Sequence, residues 1–172
     1  PWSKYAAGYM WGVTGIIYNP EDVTKQEAST WKIINNDKFR RMITVKDNVR
    51  DTMFAAIGAI KSDKLRSQDF IRQADYTDKL AEEMNDTSKD TVDEVLEYLQ
   101  QVKDNVYSFE TDSGKIDAIT GKISAGYQWS GDAVYIMQQA EANDVELNFA
   151  IPEECTNMYF DGWAMLKSGI NG

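Results

Sequence analysis

The apolar stretches of the chain predict its β-strands. The run "GYMWGVTGIIYN" (8–19) contains many β-branched and aromatic residues and stops at the turn "NPED", as a strand followed by a tight turn does. The shorter run "RRMITVKD" (40–47) predicts a second strand. Four more are predicted at "NVYSFE" (105–110), "ISAGYQW" (123–129), "VELNFAIP" (145–152) and "NMYFDGWAML" (157–166).

Between these strands, apolar residues recur at helical spacing. Segment 88–104 has the clearest pattern, with one apolar face opposite a face of lysine and aspartate. That apolar face consists of Val92, Val95, Leu96, Leu99 and Val102. Further helices are predicted at 47–62, 67–85, 112–122 and 130–143. Asp47 is the predicted N-cap of the first of these, and Asp112 or Ser113 that of the helix at 112–122.

Strands that alternate with helices indicate an α/β domain with a mainly parallel sheet and helices on both faces. Ligands of such sheets bind at the carboxyl ends of strands, where helices begin. Acids, small hydroxyl residues and one tryptophan occur at these junctions: Asp47, Asp51, Glu110, Thr111, Asp112, Trp129, Ser130 and Asp132. The alternatives are that Asp47, Asp112 and Ser130 cap helices and that Trp129 belongs to the core.

The last predicted strand contains one acid, Asp161, among the aromatic residues Tyr159, Phe160 and Trp163. Residues two apart in a strand point to the same face, so Tyr159 and Asp161 should share one surface. Burying a carboxylate is costly unless a cation pairs with it. That cation is either a lysine of this chain or a ligand.

Composition excludes several functions. The chain of 172 residues carries 28 acids and 18 bases, a net charge of -10, so a surface that binds phosphate or nucleic acid is not expected. There is no histidine and a single cysteine, which excludes His-based catalytic triads, His-containing zinc sites and an internal disulfide. No metal and no cofactor is expected. Because the sequence opens at Pro1 rather than Met, we interpret it as an excised piece or a mature fragment.

Five segments, taken in order, resemble the substrate-binding component of bacterial spermidine/putrescine ABC transporters. They are "GYMWGVTGIIYN", "VKDNVRDTMFAAIG", "SAGYQWSGDAVYIMQQ", "LNFAIPEE" and "NMYFDGWAML". The resemblance implies a type II periplasmic-binding-protein fold, in which two α/β lobes enclose the ligand. It further implies that residues 1–172 are a single lobe, the second, with the first lobe absent from this chain.

The resemblance also implies a set of ligand-binding residues. Trp129 of "YQWSG" matches a tryptophan that packs on the methylene chain of the polyamine, and Tyr159 matches a second aromatic wall. Asp161 of "YFDGW" matches a carboxylate that binds an amine. Asp51 matches an acidic position at the ligand, and Thr111 a small hydroxyl position. Asn48 stands where some members have an aspartate, which leaves the preference between spermidine and putrescine open.

By the same resemblance, the protein is expected to be a monomeric binding protein and not an enzyme. Its partners would be a polyamine and the permease subunits of an ABC transporter. The protein would be located in the periplasm or on the outer face of the cell membrane. It would be attached there by an anchor or a fusion that lies outside this chain. Two alternatives remain: a binding lobe for iron, a sugar or thiamine, and a hydrolase such as a glycosidase that uses Asp51 and Asp161 as paired carboxylates.

Overall fold

A computed structural model describes residues 4–166 of the chain. Six strands are formed: β1 (Ala6–Tyr18), β2 (Ile43–Lys46), β3 (Ser108–Glu110), β4 (Ala125–Trp129), β5 (Asn148–Ala150) and β6 (Met158–Ala164). The helices are α1 (Lys25–Ala28), α2 (Val49–Ile60), α3 (Ser62–Leu65), α4 (Gln68–Ile71), α5 (Tyr76–Met84), α6 (Lys89–Asn105), α7 (Gly114–Ile119) and α8 (Ser130–Glu141). Two 3-10 helices, Trp31–Asn35 and Asp37–Phe39, lie between α1 and β2. All six predicted strands are present.

The sheet has the order β3-β2-β4-β1-β5, with β6 paired to β1. Strand β2 runs parallel to β3 and β4, and β1 runs antiparallel to β4 and β5. Four strands of the main sheet therefore share one direction and β1 opposes them. The predicted mainly parallel α/β sheet is confirmed. The carboxyl ends of β2, β3 and β4 lie at the same edge of the sheet.

Both faces of the sheet are covered by helices. Neighbouring residues of β1 show this, because Ile16 packs in one buried cluster with Trp31 and Ile17 packs in another with Ala133 and Ile136 of α8. Successive side chains of a strand point to opposite faces. The residues described here therefore contain a core on each side of the sheet.

Strand β1 is long enough to pair with three strands, β4, β5 and β6. Its second half, from Thr14 to Tyr18, pairs with β4, and its first half, from Ala6 to Val13, pairs with β6 in a two-stranded ribbon. Large side chains on this ribbon are mostly exposed, including Tyr9, Trp11, Phe160 and Trp163. The ribbon thus extends from the main sheet with much apolar surface open to solvent.

Three sequence predictions about helices were wrong in detail. The helix predicted at 67–85 is interrupted between α4 and α5, and the turn lets Phe70 and Tyr76 stack edge to face with ring centroids 5.7 Å apart. Residues six apart lie on different faces of a continuous helix, so the stack requires the break. The cap of α2 is Asn48 rather than Asp47, and its Oδ1 accepts from two backbone N–H groups.

The third difference concerns α7, where the predicted N-cap position of Ser113 is confirmed but its side-chain cap is not. Ser113 occupies the N-cap position, but neither it nor Asp112 supplies a side-chain cap. The buried Glu110 carboxylate accepts from the backbone N–H of Gly114 instead. The residue that caps α7 is therefore the last residue of β3, which packs directly against the beginning of the helix.

Glu154 is fully buried and fixes the segment that leads into β6. Its carboxylate accepts from Ser62 Oγ at 2.6 Å, from the Trp31 N–H at 3.3 Å and from the Thr30 hydroxyl. Replacing Glu154 with Ala should leave these donors unpaired and lower the free energy of unfolding by about 3 kcal/mol. Urea denaturation measures this loss.

The adjacent Glu153 provides a matched control. It is exposed and pairs with Arg66, so Glu153→Ala should cost less than about 1 kcal/mol. Equal losses from the two substitutions would show that the buried hydrogen bonds of Glu154 contribute no more than a surface ion pair.

Candidate functional site

A cavity of about 470 Å³ lies beside the end of β4. Strand β4 ends at Trp129 and α8 begins at Ser130, so this is a strand-to-helix junction of the kind at which α/β proteins bind ligands. The lining residues are Met10, Trp129, Gly131, Asp132, Tyr159 and Asp161. Three of the residues predicted for the site, Trp129, Tyr159 and Asp161, are therefore brought together.

Tyr159 lies directly against the backbone of β1. A Cβ atom at Gly12 would lie 2.4 Å from the Tyr159 hydroxyl oxygen and 2.6 Å from Ser130 Oγ. Only glycine therefore leaves room for the ring at this position. Ser130 Oγ accepts from the Val13 N–H at 3.1 Å, which connects the beginning of α8 to the same stretch of β1. The aromatic wall is thus held by the pairing of β1 with β6.

Asp161 is exposed at the mouth of the cavity. It lies opposite Met10 in the β1–β6 register and shares the cavity with Tyr159, as expected from their spacing of two residues. Within residues 4–166, no lysine or arginine forms an ion pair with Asp161. In the part of the chain described, this carboxylate has no cation of its own.

Asp51 has a different environment from Asp161. It is almost fully buried in the first turn of α2 and does not line the cavity. Burial raises the pKa of the Asp51 carboxyl, while the Trp129 side chain and the charge of Lys46 oppose that shift. Asp51 thus lies next to Trp129 but outside the cavity lining, and its ionisation is less favourable than that of an exposed aspartate.

The raised pKa of Asp51 predicts a pH-dependent effect of Asp51→Asn. A carboxyl whose pKa is raised by folding favours the folded state below its unfolded pKa, and that contribution is lost as the pH rises through the folded value. At about pH 7 the asparagine avoids this loss, so the variant should melt at a higher temperature than wild type. At about pH 3 both side chains are neutral and the difference should vanish. Thermal melts at the two pH values test this, and a variant that melts lower than wild type at neutral pH would contradict it.

Lys46, the last residue of β2, is fully buried at the centre of the junction. Its Nζ donates to Gln128 Oε1 at 2.8 Å and to the Thr111 carbonyl at 3.0 Å. The same nitrogen lies 4.2 Å from the centroid of the Trp129 ring, within the range of a cation–π contact. Burial lowers the pKa of Lys46, and the charges of Glu110 and Asp132 oppose that shift.

Thr111 and Asn48 lie outside the cavity. Thr111 is exposed, and its described contact is the backbone carbonyl that accepts from Lys46. Asn48 uses its side-chain oxygen to cap α2 and lines a separate apolar groove between α2 and α6. The predicted ligand contacts of both side chains remain predictions.

Two charged residues complete the surroundings of the cavity. Asp132 lines it and pairs with Lys115, with 3.0 Å between Oδ2 and Nζ.

Sequence analysis identified Asp132 at its junction but missed Lys46, Gln128 and Met10. The signal for Lys46 was a lysine that directly follows the β-branched residues "ITV" in a short strand.

Residues 4–166 contain no group of three acidic or cysteine side chains placed to hold a metal ion. No helix in this range has the length and apolar character that crossing a bilayer requires. Burial raises the pKa of the Cys155 thiol to about 12, so this cysteine is poorly suited to act as a nucleophile.

Two curated proteins that the chain resembles are named for polyamine binding. The chain is 24% identical over 174 residues to the putrescine-binding periplasmic protein PotF of Escherichia coli, covering 99% of this chain and 44% of PotF. It is 20% identical over 169 residues to spermidine/putrescine-binding periplasmic protein 1 of Haemophilus influenzae, covering 98% of this chain and 40% of that protein. The chain therefore spans less than half the length of these relatives.

Solved structures support the fold. The substrate-binding protein PotD of a spermidine/putrescine ABC transporter from Streptococcus pneumoniae superposes with a TM-score of 0.72 at 20% identity. The match covers 94% of this chain and 42% of PotD. A family model described as "Bacterial extracellular solute-binding protein" matches residues 2–169. The chain belongs to the family of bacterial extracellular solute-binding proteins.

Proposed function

We propose that this chain is one lobe of a two-lobed protein that binds a polyamine for uptake by an ABC transporter. The relatives named for putrescine and spermidine binding match it along nearly its whole length. Their greater length supports a second lobe outside this chain. The ligand would be held in the cleft between the two lobes, with this lobe contributing the cavity beside Trp129.

The observation that carries the proposal is the environment of Asp161. Its exposed carboxylate lines the cavity together with Trp129 and Tyr159 and has no ion pair within residues 4–166. A carboxylate beside aromatic rings matches a ligand that has an ammonium group on an apolar stem. It therefore favours an amine over a sugar or a phosphate.

The expected energetics fit a polyamine. A charge-assisted hydrogen bond between an ammonium group and a carboxylate contributes about 1.5–3 kcal/mol. Aromatic faces cover the methylene groups and attract a cation by about 0.5–2 kcal/mol each. Closure of two lobes would exclude water and strengthen both contacts.

In this role the protein would act as a monomer that delivers its ligand to the permease subunits of the transporter. It would work in the periplasm or on the outer face of the membrane, attached through a part outside this chain. The names of the relatives, which are periplasmic binding proteins, support this location.

A thermal-shift panel on the full two-lobed protein tests the proposed function. Putrescine and spermidine should raise the melting temperature in a concentration-dependent manner, because a ligand that binds only the folded state stabilises it. Amino acids, sugars, thiamine and iron salts serve as the comparison set. A shift with one of these compounds and none with any polyamine would assign the site to another ligand.

One observation favours a hydrolase as a second candidate. Asp51 is buried with a raised pKa, whereas Asp161 is exposed, and a glycosidase needs two carboxyl groups of unequal environment. Against this, Asp51 does not line the cavity that contains Asp161. A screen with chromogenic glycosides tests the candidate. Hydrolysis that is lost in both Asp51→Asn and Asp161→Asn would establish it.

A further inference from the structure

The β1–β6 ribbon places aromatic residues on both sides of Asp161. From Thr14 back towards Ala6, β1 pairs in register with four side chains, in the order Trp129, Tyr159, Asp161 and Trp163. The acid therefore has Tyr159 next to it in the direction of the main sheet and Trp163 next to it in the direction of the ribbon's far end.

Trp163 lies on the face of the ribbon that carries Asp161. A Cβ atom at Gly162 would lie 3.5 Å from the Phe160 ring, and one at Gly8 would lie 3.3 Å from it. Phe160 and Gly162 therefore belong to one face, and the residues that alternate with them, Asp161 and Trp163, belong to the other. Their Cα atoms are about 7 Å apart at this spacing, a distance that an indole ring can span.

A β-bulge brings Tyr9 to Trp163. The pairing register shifts between Gly8 and Met10, which leaves Tyr9 as the extra residue of β1, and bulges of this kind redirect a side chain. The Tyr9 ring packs edge to face on the Trp163 ring, with the centroids 5.3 Å apart and 63° between the planes. The cross-strand partner of Trp163 is the small residue Ala7, so the contact with Tyr9 is what holds the indole in place.

Both rings are open to solvent although they are large and apolar. The exposed fraction is 61% for Tyr9 and 68% for Trp163. In the part of the chain that the structure describes, Asp161 has no ion pair. The opposite face of the ribbon carries Trp11 and Phe160, which pair with each other, and no charged residue. The face with Trp163 thus combines exposed rings with an unpaired carboxylate, and that combination attracts an alkylammonium ion.

We propose that Trp163 is a further ligand-contacting residue of the amine site and that Tyr9 is a positioning residue that holds its ring. The inference rests on the proposed amine-binding function. An ammonium at Asp161 would lie between the rings of Tyr159 and Trp163, so cation–π attraction from two sides would add to the hydrogen bonds of the carboxylate. Trp163 lines the next cavity along the ribbon, so it would enclose the ammonium from the side away from the main sheet.

Calorimetric titration of the two-lobed protein with putrescine tests this inference. Trp163→Leu keeps an apolar side chain but removes the π face, and it should weaken binding roughly five- to thirtyfold. Trp163→Phe keeps a π face and should retain most of the affinity. Phe160→Leu is the matched control, because Phe160 is the adjacent residue, is 67% exposed and lies on the opposite face. It should leave the affinity unchanged, and all three ligand-free variants should melt close to wild type because neither ring is buried.

Variants of Tyr9 test its positioning role. Tyr9→Ala removes the edge-to-face contact and should weaken putrescine binding about threefold, whereas Tyr9→Phe keeps the contact and should bind as wild type does. Wild-type affinity in Trp163→Leu, or an equal loss in Phe160→Leu, would overturn the inference and leave the amine-binding function standing, because wild type would still bind putrescine. A wild type that binds no amine would refute the proposed function and the inference with it.

Discussion

Asp161→Asn is expected to weaken putrescine binding by the two-lobed protein roughly ten- to hundredfold. The substitution keeps the size of the side chain and one acceptor oxygen but removes the charge that would pair with an ammonium. Asp161 lines the cavity beside Trp129 and Tyr159. Calorimetry with putrescine measures the change in the dissociation constant.

The melting temperature of the ligand-free variant distinguishes a ligand site from a structural ion pair. Within residues 4–166 no lysine or arginine pairs with Asp161, so the ligand-free variant should melt at or slightly above the wild-type temperature. Asp63→Asn is the control, because Asp63 is an exposed aspartate whose partner is Lys32, and it should not change putrescine affinity. A destabilised Asp161→Asn protein that still binds putrescine with wild-type affinity would contradict the assignment.

The 172-residue chain by itself should bind putrescine at least about a hundredfold more weakly than the two-lobed protein, with a dissociation constant in the millimolar range or none measurable. The isolated lobe retains Trp129 and Asp161, but without the other lobe the ammonium groups of the ligand stay in contact with water. Charge contacts weaken strongly in water compared with a closed cleft. Calorimetric titration of the isolated chain gives the value.

Weak binding by the isolated chain is informative only if that chain is folded. The two buried clusters, one on each face of the sheet, are built from residues of this chain, so a cooperative melt without ligand is expected. A non-cooperative melt would show that the other lobe is required for folding. A sub-micromolar affinity for putrescine on the folded chain would show that no cleft between lobes is needed.

Much of the fold could be predicted because strands and helices differ in their apolar period. Runs such as 8–19 and 40–47 became β1 and β2, and the junction at Trp129 follows from a strand that passes directly into a helix. The antiparallel direction of β1 could not be predicted, since periodicity does not specify which way a strand runs. The break between α4 and α5 depends on the contact of Phe70 with Tyr76, which side-chain spacing alone does not indicate.

The candidate site could be predicted in part for the same reason. Tyr159 and Asp161 line one cavity because alternate residues of a strand share a face. Asn48 was chosen by resemblance, Thr111 by its place at a strand-to-helix junction and by resemblance, and neither lines that cavity. Lys46 was missed because its position depends on contacts with Gln128 and Trp129 of the neighbouring strand β4. Gln128 lies more than eighty residues from Lys46 in the sequence.

A crystal structure of the two-lobed protein grown with putrescine tests the central claim most directly. The account predicts one ammonium within about 3 Å of the Asp161 carboxylate and the methylene chain packed on Trp129. Putrescine bound away from this cavity, or bound with Asp161 free of contact to either ammonium, would contradict the account.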